Sequence, residues 1–136
     1  MRSLWLLGTA FILMASVAVP VRAHHSLVGF NSMQPTVLRG VLTDIQWKNP
    51  HAWVLMDVKQ PDGKIVNWRI DFATPSHLSL LGLRPTMLDL KTTYSFDVWP
   101  ARDGSPTATG RMLTFPNGQQ VDIHDVWGDY MPQANK

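Results

Sequence analysis

The stretch Thr36 to Trp47, TVLRGVLTDIQW, decides how the rest of the chain is read. It is long, rich in β-branched and aliphatic residues, and carries Gly40 where a strand can bend or bulge. Asn49-Pro50 ends the run. Ala52 to Val58, AWVLMDV, reads as a second strand, and Pro61-Asp62-Gly63-Lys64 as the tight turn that follows it. Ile65 to Phe72 then alternates, with Val66, Trp68, Ile70 and Phe72 on one face and Asn67, Arg69 and Asp71 on the other. That is the pattern of a strand with one face buried and one in water. Trp68, on the inward face, is expected to be among the most damaging residues to truncate, because a buried tryptophan costs about 3–5 kcal/mol on replacement by alanine.

The β rhythm breaks once. Thr74-Pro75 is a helix N-cap followed by proline at the first helical position, and Gly82 is a fitting stop, so SHLSLL between them forms about two turns. Thr93 to Trp99 resumes the alternation, with Tyr94, Phe96 and Val98 inward. After the loop RDGSPTATG, Arg111 to Phe115 and Gln119 to Val126 flank Asn117-Gly118, a strong hairpin signal. Three strands, one short helix, then two or three strands is the order of an OB-type barrel, all-β with one short helix. A small β-sandwich is the alternative, and it would not be expected to hold its only helix at that point.

Upstream of the strands, Arg2 is followed by an apolar run from Leu4 to Val19, and Val21 and Ala23 are small residues at signal-peptidase spacing. The run is shorter than the roughly 20 residues that cross a bilayer comfortably. Met1 to Ala23 is therefore expected to be a cleaved export signal, which places the mature chain in the periplasm or outside the cell, with no membrane attachment after cleavage. Residues 24–136 then form one domain with a tail from about residue 127, large enough for one modest core. The whole chain has 12 basic and 10 acidic residues and a pI near 9.2. Losing Arg2 and Arg22 leaves ten of each, so the mature chain is formally neutral and no basic run exists to capture a nucleic acid. There is no cysteine, which removes disulfides and thiolate metal sites.

Several motifs stand together: AHHS at Ala23 to Ser26, WKNPHAW at Trp47 to Trp53, the Asp62-Gly63 turn, a tryptophan strand ending in Asp71, and RDG at Arg102 to Gly104. In this combination the chain resembles a family of small exported bacterial proteins of unknown function. The resemblance covers roughly His24 to Gly118 and implies an exported β-barrel without an established activity. By position it carries over His24, His25, Asn49, Pro50, His51, Trp53, Trp68, Arg102, Asp103 and Gly104. Asp71 departs from it, standing where glutamate is expected, as does Lys91-Thr92-Thr93 in place of a more turn-like sequence.

Cleavage after Ala23 makes His24 the first residue. A terminal histidine chelates through its amine and ring, and one more imidazole completes three nitrogens, a set that favours Cu(II) over other divalent metals. His51, in the loop between the first two strands, is the natural third ligand. His25 is a further imidazole, and Asp71 could bind a metal or orient a ligand. The other reading makes His24 and His25 a polar chain end, His51 a turn cap, and Asp71 a partner of Arg69. The protein is then an OB-type module for a small molecule, a glycan or another exported protein. Trp53, Trp99, Arg102 and Asp103 are its ligand-face candidates. An enzyme is the weakest expectation, since there is no GxSxG, HExxH or cysteine nucleophile.

Overall fold

The computed structural model of the protein describes residues 29–124. His24, His25, the expected export signal Met1 to Ala23 and the expected tail from about residue 127 lie outside that range. Six strands occur within it: β1 (Thr36–Gln46), β2 (Trp53–Lys59), β3 (Ile65–Asp71), β4 (Thr93–Pro100), β5 (Thr107–Thr114) and β6 (Gln120–Asp122). One helix, α1 (Pro75–Leu80), and a 3-10 turn at Pro85–Met87 connect β3 to β4. Neighbours run β3-β2-β1-β4-β5-β6, and a parallel pairing of β3 with β5 closes five strands into a small OB-like barrel. β6 is an extra strand on β5.

The long first strand makes closure possible. Its first half pairs with β4, from Thr36 opposite Val98 to Val41 opposite Thr93. Its second half pairs with β2, from Val41 opposite Asp57 to Gln46 opposite Trp53. Gly40 sits where the strand passes between partners. A Cβ there would lie 2.3 Å from the Asp57 carbonyl oxygen and 2.8 Å from Met56 Cε, so only glycine fits. The irregularity in register falls just beyond it, between Leu42 and Asp44.

Inward residues of every long strand meet in one core. Leu38, Leu42, Val54, Met56, Ile70, Phe72, Phe96, Val98 and Leu113 are buried, and Phe72 and Phe96 pack with centroids 5.7 Å apart. Helix α1 contributes Leu78. Thr74 caps it, its hydroxyl accepting from the His77 amide at 3.3 Å. At the other end Gly82 is left-handed (φ 84°), while the Gly82 and Leu83 amides donate to Ser79 and Leu78 carbonyls in a Schellman closure.

Three sequence expectations shift. The fifth strand begins at Thr107 rather than Arg111, because the small residues of TATG pair with both β3 and β4. The sixth is only three residues long. Trp68 does face inward but stays half-buried, since β5 covers β3 only from Arg69 to Asp71. Its indole Nε1 is buried with no hydrogen-bond partner. The deepest aromatic is Phe96 instead.

Candidate functional site

Outward residues of β2, β3, β5 and β4 form a continuous strip. Trp53 on β2 stands opposite Asp71 on β3, Asp71 opposite Thr109 on β5, and Thr109 opposite Trp99 on β4. At one end, Arg69 lies two residues before Asp71 on the same face. Its Nε donates to Asp71 Oδ1 at 2.9 Å, and its guanidinium carbon stands 4.7 Å from the Trp53 ring centroid. Trp53, Arg69 and Asp71 are thus one unit: a planar cation laid on an indole and pinned by a carboxylate.

A second such unit sits at the other end. Arg111 Nη1 donates to Asp97 Oδ2 at 3.1 Å, and its guanidinium carbon is 5.1 Å from the Trp99 centroid. Here the geometry comes from a β-bulge. Val98 pairs with Gly110 but Asp97 pairs with Met112, leaving Arg111 as the extra residue. Alternation along β5 is broken there, so Arg111 and Met112 are both half-buried between buried Gly110 and Leu113. Gly110 sits in a tight place, where a Cβ would come within 2.5 Å of Ile123 Cδ1.

Two histidines flank these units. His51 precedes Trp53 by two residues, and its Nδ1 lies 3.0 Å from the Phe72 carbonyl oxygen. A carbonyl only accepts, so Nδ1 carries the proton, and in the neutral ring Nε2 is then the lone-pair nitrogen. His124 sits beside Trp99, ring edge against ring face, with centroids 4.8 Å apart. Its backbone amide donates to Asp122 Oδ1 at 2.9 Å. Asp97, Trp99, Arg111, Met112, Asp122 and His124 line a shallow groove.

Arg102 and Asp103 serve the chain's own backbone. Arg102 Nε donates to the Phe30 carbonyl at 2.8 Å, and its amide donates to Gly29 at 2.9 Å. With the Phe30–Ala101 bridge and the Asn31 amide bonded to Pro100, these contacts clamp the N-terminal arm to the end of β4. Asp103 closes a turn, and hydrogen bonds from Ser105, its hydroxyl first and then its amide, hold the carboxyl below its ordinary range. His77 lies on α1, away from the strip in sequence and element. Among the described residues, no three histidine or acidic side chains are grouped to hold a metal ion on their own.

Trp53, Trp99, His51 and Asp71, all singled out by sequence, fall on or beside this face. Arg69 was legible as a partner of Asp71, since the two share the outward period, but its place on the Trp53 ring was not. Arg111 and Asp97 gave no sign of their roles: Gly110 stands beside the bulge that brings them together, but it lies in a stretch that reads locally as loop.

Residues 11–111 match the model of a family of unknown function (DUF6152), and the chain belongs to that family. No curated protein and no solved structure matches the chain.

Proposed function

For this member of a family without an assigned activity, we propose that the chain is exported, cleaved after Ala23, and binds a divalent transition metal, copper first, through His24 and His51. The observation that carries this reading is the hydrogen bond from His51 Nδ1 to the Phe72 carbonyl. Metal-binding histidines characteristically donate their second ring N–H to a carbonyl or carboxylate, which fixes the tautomer and makes the ligating nitrogen more basic. His51 has that partner in the backbone itself, so the ring's orientation is set by the end of β3 rather than by a mobile side chain.

The remaining ligands come from the chain start, the α-amine and ring of His24, with the neighbouring His25 ring left outside the ligand set. Gly29, the first described residue, is held by Arg102 and lies five residues from His24, which is at most about 18 Å of extended chain. Two imidazoles and an amine suit Cu(II) best in the affinity order of divalent metals. Asp71 has one oxygen held by Arg69, so it orients the corner and contributes charge rather than completing the ligand set.

Calorimetric titration of copper into protein whose first residue is His24 tests the proposal. Adding one residue before His24 converts its amine to an amide and displaces it; His51→Ala removes one ring. Each change is expected to weaken binding at least about tenfold, roughly 1.4 kcal/mol, while His77→Ala changes nothing. Affinity falls as pH is lowered, because protonated imidazoles do not ligate. Undiminished affinity in the extended protein would make His24 and His25 a plain polar end.

A further inference from the structure

We infer that the outward strip from Trp53 to Trp99 is a binding site for a neutral oligosaccharide, independent of the proposed metal at the chain start. Both ends of the strip present a tryptophan, an arginine laid against its ring and an aspartate holding that arginine. Each guanidinium has five N–H groups and commits one nitrogen to its aspartate, so most of its donors remain for a ligand. Each aspartate binds its arginine through one oxygen, which leaves the second as an acceptor. Donors and acceptors therefore alternate along the face; each arginine is balanced by its own aspartate, and Asp122 adds one further carboxylate at the Trp99 end.

That pattern selects the ligand. A polyanion gains little, since each cation is already neutralised and each carboxylate repels it. A polycation meets the mirror problem. Hydroxyl groups both donate and accept, and a chain of them satisfies arginine and aspartate together without leaving a charge unpaired. Each indole is half-buried with an arginine over its ring, and its remaining apolar area beside these polar groups is suited to the C–H faces of sugar rings. Length follows from register. Trp53, Asp71, Thr109 and Trp99 are successive cross-strand neighbours, so the tryptophans stand three strand spacings apart, about 14 Å along the sheet. One sugar ring cannot reach both. The groove beside Trp99, lined by Arg111, Asp122 and His124, would take one end of the chain.

The test uses protein in excess chelator, so that no metal contributes, and follows tryptophan fluorescence during titration. The probes are neutral hexasaccharides of glucose, xylose, mannose and N-acetylglucosamine, with hexagalacturonate as the acidic counterpart and the matching monosaccharides. At least one neutral hexasaccharide is expected to saturate below millimolar concentration, its monosaccharide at least about tenfold more weakly. Trp53→Ala and Trp99→Ala are each expected to weaken the hexasaccharide about tenfold. Arg69→Lys and Arg111→Lys, which keep the charge but lose the planar fork, should each cost about fivefold while far-UV circular dichroism stays unchanged. The inference is overturned by failure of every neutral hexasaccharide to saturate, by binding of hexagalacturonate alone, or by binding that both lysine substitutions leave intact.

Discussion

At the β2–β3 corner stand His51, Trp53, Arg69 and Asp71; at the β4–β5 corner stand His124, Trp99, Arg111 and Asp97. The residue types are the same, and so is the contact of guanidinium with indole and carboxylate. The histidines differ. His51 is oriented by a hydrogen bond to the main chain, which defines its lone-pair nitrogen. His124 meets Trp99 in a T-shaped contact, with ring centroids 4.8 Å apart. Under the proposals above, the first corner contributes a metal ligand and the second a groove for a flat ligand. Identical composition therefore says little about chemistry until the hydrogen bond on each ring is known.

The corners also differ in how the backbone builds them. Trp53, Arg69 and Asp71 follow from regular pairing of two strands. Asp97 and Arg111 meet only because β5 carries one extra residue. The first arrangement survives anything that leaves β2 and β3 paired, whereas the second depends on local packing around the bulge.

Gly40→Ala should remove both corners together. Its obstacle is a backbone carbonyl, which cannot step aside, so the cost should exceed about 3 kcal/mol, the upper end of ordinary overpacking. Denaturant unfolding and near-ultraviolet circular dichroism of the tryptophans would record it. A stable, native-like Gly40→Ala protein would show that the β1 bend is not what both corners rest on.

Gly110→Ala should separate them. Its obstacles are the side chains of Ile123 and Ile70, which can yield, so about 1–3 kcal/mol is expected. The loss should be local: NMR signals of Trp99 and His124 shift while those of His51 and Trp53 hold. Equal shifts at both corners would mean that they are one packed unit.

The smallest effects belong to the ion pairs. Side-chain exposures of 47% and 27% for Arg69 and Asp71, and 38% and 36% for Arg111 and Asp97, leave both pairs well wetted. Double-mutant cycles on each should give coupling of no more than about 1 kcal/mol, falling with added salt. A much larger coupling at one corner would mark it as the more rigid.

Much of the fold was legible because alternation is a direct record of burial. β2, β3 and β4 show it without interruption, and Thr74-Pro75 with Gly82 bounded the helix. Two features escaped for physical reasons. Strand β5 starts among small residues whose pairing is fixed by distant partners, so TATG reads locally as loop. Trp68 obeys the period yet lies beyond the stretch of β3 that β5 covers, so its depth depended on closure rather than on pattern. At the candidate site, His51 and the two tryptophans were visible as motif residues, but the Phe72 carbonyl that orients His51 is a backbone group from 21 residues away. No side-chain pattern encodes it.

Pulsed EPR of the Cu(II)-loaded protein beginning at His24 tests the central claim most directly. A ligating imidazole is recognised by the coupling of its remote, protonated nitrogen, which for His51 is the Nδ1 that faces Phe72. The native protein should show two such rings, from His24 and His51; His51→Ala should reduce them to one, and His124→Ala should leave both. Two imidazole couplings persisting in the His51→Ala protein would contradict the account.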